Sequence, residues 1–364
     1  MTDISHPSQH IDSRYVAIIR DNAAEAEQLG LLNTAVLEIV YREKWFRLLV
    51  PRVYGGVEIT LPELVRLQEA ISWTDGSAGW VVTLCSGAGW FGGFIDPDAA
   101  QETFKSEYVC LAGSGAASGT AEQTADGYIL NGVWNYASGA HHATRFTANC
   151  NITKNGKPVL NDAGEQLVLP FIVDKEDVTL LPTWKYMGMV ATGSHSFKME
   201  EVYVPANRCF KIDAQHAKVD GKLYQYPFTQ LAEATLAVNL SGMAVHFIDL
   251  CRDIFAERRT HPRVNHEQRE LVEQTLQTQI EKLYAARVAL FAAVDTSWTE
   301  TTDITLKEVS KTSRILAGKV REAVAVLYPY CGLKAASPDE EINRVWRDLH
   351  TAGQHSLLTF MDIA

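Results

Sequence analysis

The spacing of hydrophobic residues changes twice along the chain. In roughly the first hundred residues they recur every three to four positions, as at Ala23, Ala26 and Leu29, which predicts amphipathic helices. Thr60 followed three residues later by Glu63 is typical of a helix N-terminus, because each side chain can cap a backbone N–H of the other residue. This part of the chain is therefore expected to be helical.

After about residue 108 the pattern becomes that of β-strands. Short apolar runs alternate with turn signals such as Asp126-Gly127, Asn131-Gly132 and Asn155-Gly156, which predict an antiparallel sheet. The helical spacing returns from about residue 228, as at Leu276 and Ile280.

The order of these segments predicts an α+β fold. We expect an N-terminal α-helical domain at residues 1–107, a middle β domain at 108–208 and a C-terminal α-helical bundle at 209–364.

Composition excludes several classes of protein. The 364 residues are 46% hydrophobic and 21% charged, as in ordinary globular proteins, and the formal charge of −11 opposes binding to nucleic acid. The six cysteines form no CxxC pair, so we predict neither a metal site nor disulfides, but buried thiols of a cytoplasmic protein. The uncharged segment 78–95 is rich in glycine and has acidic flanks, which favours a buried helix over a membrane span.

Common catalytic motifs are missing from the sequence. It contains no GxGxxG, GxxxxGK[ST], GxSxG or HExxH, which indicates chemistry carried by a cofactor that is held in another way. Residues 112–120 are small and rich in hydroxyls, as is the segment 189–195. Such loops let backbone amides approach a phosphate or a flat ring, although they also serve as plain connectors.

Two segments concentrate polar and aromatic residues. Residues 130–144 read LNGVWNYASGAHHAT, which fits a strand with a turn and two surface histidines as well as a binding segment. Near the C-terminus, Arg347, His350, Thr351 and His355 have three- and four-residue spacings that can place them on one helical face, and the alternative is a solvated helix end.

Five motifs together resemble a known family. Residues 49–56 are similar to the "P-x-x-Y-G-G" and residues 193–205 to the "T-G-S…V-x-V-P" of the acyl-CoA dehydrogenase fold. Within that superfamily, segments 112–119, 136–143 and 346–355 resemble the "A-G-S…S-G", "W-x-F-x-S-G-x-x-H-A" and "W-R-D-x-x-T-A-x-x-H" of the two-component flavin-dependent monooxygenases that hydroxylate aromatic compounds.

The resemblance implies an activity and its partners. It implies an oxygenase component that takes reduced FMN or FAD from a separate flavin reductase, since the chain has no nicotinamide fingerprint. O2 and a small aromatic or phenol-like substrate would react through a flavin C4a-hydroperoxide. A cytoplasmic homotetramer, with no nucleic-acid or membrane partner, is expected.

The resemblance also implies the site residues. Its catalytic residues would be His355, Ser138 and His142. Ser138 would lie near flavin N5, and His355 would stabilise the oxygenated flavin or shuttle its proton. The cofactor-binding residues would be Ser114, Gly115, Tyr136, Ser138, Gly139 and Thr351, with no metal. His141 is an extra histidine beside His142.

Two alternatives remain at this stage. An acyl-CoA dehydrogenase would need a carboxylate base. The family's "Y-E-G-T" context has no counterpart here, and Glu340 and Glu341 both precede the matched segment. The second alternative is a flavin-binding relative without catalysis, in which His355 is purely structural.

Overall fold

The computed structural model describes residues 4–259, 261–262 and 264–360. Five helices precede the strands: α1 (Ser13–Leu29), α2 (Thr34–Arg42), α3 (Leu61–Thr74), α4 (Gly76–Gly89) and α5 (Pro97–Thr103). Five helices follow them: α6 (Lys222–Gln225), α7 (Phe228–Arg259), α8 (His266–Thr299), α9 (Asp303–Cys331) and α10 (Glu341–Ala352). The predicted capping box starts α3, where Thr60 and Glu63 accept each other's backbone N–H.

The strands lie between the two helical segments. They are β1 (Leu111–Gln123), β2 (Gly127–Ala137), β3 (Arg145–Lys154), β4 (Lys157–Pro158), β5 (Val168–Asp174), β6 (Thr179–Leu181) and β7 (His195–Pro205). The sheet order is β4-β3-β1-β2-β7-β6, and β5 pairs with β3 on the same edge as β4, the edge away from β1. The predicted domain limits fall between α5 and β1 and between β7 and α6.

The sheet is mixed, so the expectation of a purely antiparallel sheet is wrong. β1 and β2 are antiparallel, but β3 crosses back after β2 and pairs with the far side of β1 in the parallel direction. The connection through residues 138–144 makes this crossover possible, and turn signals alone do not reveal it.

The predicted turn at Asn131-Gly132 is also wrong. Both residues lie inside β2, where the register against β7 shifts between Leu130 and Gly132. A Cβ on Gly132 would stand 2.6 Å from the Cα of Gly119 on the neighbouring strand. The glycine therefore serves close strand approach at a bulge.

Two cores hold the molecule together. The sheet closes over a core built around Trp134, Phe146, Phe171 and Phe197, which are all fully buried. The larger core joins both helical segments. α7 is long and apolar enough to cross a membrane, but 89% of its most apolar stretch of 18 residues is buried inside the protein, as in the central helix of a bundle.

A buried ion pair ties three helices of this bundle. Arg287 of α8 donates to both carboxylate oxygens of Glu69 of α3 at 2.8 Å, and Ser241 of α7 donates to Oε1. Hydrogen bonds at each oxygen offset the cost of burying this charge. All six cysteines are free thiols, five of them buried and Cys209 partly buried.

Candidate functional site

A cavity of about 610 Å³ opens where the sheet meets α4 and the end of α10. It is lined by Trp80, Leu84, Tyr136, Ser138, Trp184, Tyr186, Met187, Met189, Ser194, His350, Thr351, Ala352, Gln354, His355 and Ser356. Four of the predicted site residues, Tyr136, Ser138, Thr351 and His355, are thus brought together, although the first two lie more than 200 positions before the last two in the sequence.

A bulge at the end of β2 presents Tyr136 to the cavity. The register against β7 shifts between Trp134 and Ala137, and Tyr136 has a φ of +66°. A left-handed conformation costs a non-glycine residue about 1–2 kcal/mol. Bulges of this kind re-aim side chains next to functional sites, and here the Tyr136 ring stays 61% exposed at the cavity mouth.

Ser138 follows the bulge and is almost fully buried. Its Oγ accepts a hydrogen bond from Trp80 Nε1 at 3.1 Å and lies 2.8 Å from Ser194 Oγ. Ser194 Oγ in turn lies 2.7 Å from Thr192 Oγ1, which donates to the Met189 carbonyl at 2.7 Å. Ser138 is therefore held at one end of a row of buried hydroxyls.

The segment 187–189 fastens this row to α10. Arg347 Nη1 donates to the Met187 carbonyl at 2.7 Å, and the Asp348 carboxyl accepts from the Met189 N–H. Gly188 packs so closely on α10 that a Cβ would stand 2.2 Å from the Arg347 carbonyl oxygen. Burial, and then the charge of Asp75, raise the pKa of Asp348 to about 8.

Aromatic side chains form the outer lip of the cavity. The Trp184 and Tyr186 rings lie 4.1 Å apart, and Tyr136 meets Trp184 edge to face at 6.3 Å. The Tyr136 and Tyr186 hydroxyls are 3.3 Å apart. Trp184 is fixed from behind, since its Nε1 donates to the Met189 carbonyl. This lip offers flat apolar faces with hydroxyls at the edge.

The opposite wall comes from the end of α10 and the residues after it. Thr351 lies in the last turn of α10, whereas His355 follows the helix in an extended conformation and caps a short 3-10 turn. The expectation of a single helical face that carries Arg347 and His355 is therefore wrong. Arg347 does not line the cavity and forms an ion pair with Glu27.

His355 is a neutral imidazole in this wall. Its ring lies 5.9 Å from the Trp80 ring, and its Nδ1 accepts from the Leu357 N–H at 3.4 Å. Burial lowers the pKa of His355 below its ordinary value. Because Nδ1 accepts, Nε2 carries the proton and acts as a hydrogen-bond donor.

His142 and Gly139 lie behind the cavity. His142 Nε2 accepts from the Leu32 N–H at 3.2 Å, which joins the sheet to the N-terminal helices, and burial lowers the pKa of His142 to about 4. Gly139 has a φ of +75°, and a Cβ there would stand 2.6 Å from Cys85 Sγ. Both residues support the segment that carries Ser138 without lining the cavity themselves.

Ser114 and Gly115 also lie outside the cavity lining. They sit where the register of β1 against β3 is interrupted between Ser114 and Gly119. The Gly115 carbonyl accepts from Asn149 Nδ2 at 2.9 Å, and a Cβ on Gly115 would meet open space. His141 is exposed and packs edge to face on His195 at 4.9 Å.

Sequence reasoning missed several lining residues. Trp80 and Leu84 lie on α4, in the stretch that the sequence indicated only as a buried helix. Ser194 belongs to the small-residue segment 189–195, whose hydroxyls were the available signal. Nothing in the local pattern pairs this segment with Ser138, since their contact is tertiary.

The C-terminal helical bundle matches a known family model. Residues 234–360 match the model described as "Acyl-CoA dehydrogenase, C-terminal domain". The matched segment covers α8, α9 and α10, most of α7 and the cavity wall that carries His355.

Curated proteins with similar sequences are monooxygenases or hydroxylases by name. The oxygenase subunit HsaA of a flavin-dependent monooxygenase from Rhodococcus jostii is 24% identical over 234 residues, which cover 62% of this chain and 59% of that protein. A pigment production hydroxylase from Rhodococcus erythropolis is 25% identical over 354 residues, or 91% of this chain and 87% of the relative. The match to HsaA thus spans less than two thirds of its length.

Solved structures share the whole architecture. XiaF from Streptomyces sp., in complex with FADH2 and glycerol, superposes with a TM-score of 0.86 at 21% identity, over 97% of this chain and 91% of XiaF. The 3-HSA hydroxylase from Rhodococcus sp. RHA1 gives 0.87 at 21% identity, over 98% and 94% of the two chains. The chain has the acyl-CoA dehydrogenase fold, and its resemblance to the flavin-dependent monooxygenases of that superfamily is confirmed.

Proposed function

We propose that this protein is the oxygenase component of a two-component flavin-dependent monooxygenase that hydroxylates a small aromatic or phenol-like substrate. The observation that carries the proposal is the composition of the cavity. One aromatic pocket is lined by a buried hydroxyl, Ser138, and by a neutral imidazole, His355. The similar sequences, one named as the oxygenase subunit of a flavin-dependent monooxygenase and one as a hydroxylase, support the same function.

The cavity suits a flat, largely apolar ring. Trp80, Trp184 and Tyr136 supply aromatic surface, and the 610 Å³ volume lies within the ordinary range of ligand pockets. Ser138 and His355 each keep one hydrogen-bonding position that no described residue occupies. A bound reduced flavin would supply the activation of O2, which the side chains present cannot perform alone.

The residues have separate tasks in this proposal. Ser138 forms a hydrogen bond with the polar edge of the flavin ring. His355 Nε2–H donates to, or moves a proton at, the oxygen that reacts with the substrate. The lip of Tyr136, Trp184 and Tyr186 excludes water and stacks on the aromatic substrate.

The lining disfavours the acyl-CoA dehydrogenase alternative. That reaction needs a carboxylate beside the substrate, and the described residues that line the cavity include no Asp or Glu. Glu341 is paired with His246, and Glu340 lies 3.5 Å from Lys334. Asp348 is fully buried behind the wall and accepts from the Met189 N–H.

The cofactor form, partner and assembly belong to the same proposal. FAD is favoured over FMN, since a resorcinol hydroxylase from Rhizobium sp. is named FADH2-dependent and XiaF binds FADH2. A separate reductase supplies the reduced flavin. We propose a cytoplasmic homotetramer, because apolar residues of the C-terminal helical segment stand in solvent, among them Ile304 at 81% and Leu333 at 89% exposure. A monomer in sedimentation at micromolar concentration contradicts this assembly.

Isotope labelling tests the function. The protein is mixed with FAD, NADH, a flavin reductase and ¹⁸O2, together with a panel of phenols and indoles, and the products are analysed by mass spectrometry. We expect a hydroxylated product that carries one ¹⁸O atom. Anaerobic bleaching of oxidised FAD by an acyl-CoA thioester, without ¹⁸O incorporation, would overturn the proposal in favour of the dehydrogenase.

A further inference from the structure

The row of buried hydroxyls has a defined hydrogen-bond direction. At one end the Met189 carbonyl can only accept, so the single proton of Thr192 Oγ1 points to it at 2.7 Å. Thr192 Oγ1 can then only accept from Ser194, 2.7 Å away. Since the Ser194 proton is committed, Ser138 must donate to Ser194 across 2.8 Å.

At the other end of the row, Ser138 is bonded by Trp80. Trp80 Nε1 can only donate, and it donates to Ser138 Oγ at 3.1 Å. A hydroxyl has one proton and two acceptor lone pairs. Ser138 has thus used its proton and one lone pair inside the protein, and a single lone pair remains for a ligand in the cavity.

We infer that Ser194, supported by Thr192, is a positioning residue that makes Ser138 an acceptor and thereby sets a preference for reduced over oxidised flavin. The inference rests on the proposed function. N5 of a flavin carries a proton in the reduced form and a bare lone pair in the oxidised form. If Ser138 can only accept, it forms a hydrogen bond with the N5–H of reduced flavin. Toward oxidised flavin it places a lone pair against the lone pair of N5, which is unfavourable.

The surroundings keep this direction in place. Ser138 and Ser194 are 5% and 3% exposed, so water does not compete for the bonds. The terminal carbonyl is itself fixed, because the Met189 N–H bonds the Asp348 carboxyl and Trp184 Nε1 donates to the same carbonyl oxygen. The accepting end of the row cannot swing away without moving α10.

Ser194→Ala releases the Ser138 proton. Without its acceptor, the Ser138 hydroxyl can rotate and donate to the bare N5 of oxidised flavin. Thr192→Val removes the acceptor of the Ser194 proton, so Ser194 can donate to Ser138 instead. The Ser138 proton is then again free to point into the cavity. Each variant should lower the ratio of reduced to oxidised flavin affinity by roughly three- to tenfold, the worth of one hydrogen bond.

The matched control is Ser196→Ala. Ser196 is as buried, at 2% exposure, and lies two residues further along. Its hydroxyl bonds Thr183 and Asn135, and neither of these residues lines the cavity. This variant loses a hydroxyl of the same kind and should keep the wild-type affinity ratio.

The experiment measures dissociation constants for oxidised FAD and dithionite-reduced FAD, the latter under anaerobic conditions, for all four proteins. The midpoint potential of bound FAD is an independent reading of the same ratio, since a tenfold change corresponds to about 30 mV for a two-electron couple. We expect tighter binding of reduced FAD by the wild type and a reduced ratio in Ser194→Ala and Thr192→Val.

The outcomes separate the inference from the function beneath it. Wild-type binding of reduced FAD with an unchanged ratio in both variants overturns the role of Ser194 and leaves the proposed function intact. An equal fall in Ser196→Ala also overturns it, because the effect would then not depend on the row. If the wild type binds neither form of FAD, the proposed function fails and the inference fails with it.

Discussion

The two walls of the cavity differ in how firmly their polar groups are held. On the sheet side, Ser138 makes two side-chain hydrogen bonds and continues into a row that ends on a clamped carbonyl. On the helical side, the His355 ring has one long hydrogen bond through Nδ1. No described residue bonds its Nε2.

This difference indicates a division of labour. A group whose bonds are all fixed presents a constant surface, which suits recognition of a cofactor edge. A neutral imidazole with a free N–H can change its protonation state and partner during a reaction, which suits proton transfer. The sheet wall is thus expected to control binding, and the helical wall the chemistry.

The largest effect is expected from His355→Ala. Loss of an acid–base group should depress hydroxylation by roughly 10²–10⁴-fold, while the melting temperature moves little. Product formation and thermal unfolding are measured on the same preparation. The control is His141→Ala, which removes an exposed histidine outside the lining. A strongly lowered melting temperature with normal hydroxylation per folded enzyme would make His355 a structural residue.

The next effect concerns the pH dependence of stability at His142. Its pKa is about 4 in the folded protein against an ordinary value of 6.5, so the unfolded chain takes up the proton first. The stability that neutral His142 contributes is complete above pH 6.5 and is lost between 6.5 and 4, up to about 3 kcal/mol.

The variant His142→Gln isolates this contribution. Glutamine keeps an acceptor for the Leu32 N–H but does not titrate. In urea unfolding, the variant's loss in free energy of unfolding relative to the wild type should therefore shrink as the pH falls from 6.5 to 4. Asp348 has the opposite effect: because its pKa is raised, the protein loses stability as the pH rises from about 4 to 8. This trend is the same in both proteins, so it cancels in the difference between their free energies of unfolding. Parallel pH profiles for the two proteins would contradict burial of the His142 ring.

A smaller effect is expected where the sheet wall is supported from behind. In Gly139→Ala the new side chain is strained by the left-handed backbone and also clashes with Cys85 Sγ. In Gly156→Ala only the backbone strain applies, since nothing lies within 4 Å of the new Cβ. Gly139→Ala should therefore lower the free energy of unfolding by about 2 kcal/mol more than Gly156→Ala. Cys85→Ala in the same chain should recover most of that excess, and equal costs at the two glycines would refute the close contact.

The smallest change in stability is expected for Ser138→Ala, at about 0.5–1.5 kcal/mol. Its larger consequence is for the coupling of NADH consumption to hydroxylation. A flavin ring that has lost this contact is held less firmly, so water is excluded from it less well. Hydrogen peroxide released per NADH consumed should rise relative to wild type and to Ser196→Ala. Unchanged coupling would remove Ser138 from the mechanism.

Local patterns predicted the helical segments and the capping box at Thr60, because these depend on residues three or four positions apart. They failed at Asn131-Gly132, where a turn signal instead serves a close approach to Gly119 on the neighbouring strand. The parallel pairing of β1 with β3 was missed for the same reason, since it depends on a crossover.

The site divides in the same way. Tyr136, Ser138, Thr351 and His355 were reached through their motifs, and the cavity brings them together. Trp80 and Ser194 were not, because their contacts with Ser138 join segments 58 and 56 residues away. Ser114 and Gly115 have the composition of a binding loop, yet they lie on β1 outside the lining.

We propose that the cavity between the sheet and the end of α10 holds a reduced flavin. A crystal structure of the protein with FAD, reduced and frozen under anaerobic conditions, tests it most directly. We expect the flavin ring in this cavity, with N5 within hydrogen-bond distance of Ser138 Oγ and His355 Nε2 on the substrate side. A ring bound elsewhere, or turned so that Ser138 meets no ring nitrogen, would contradict it.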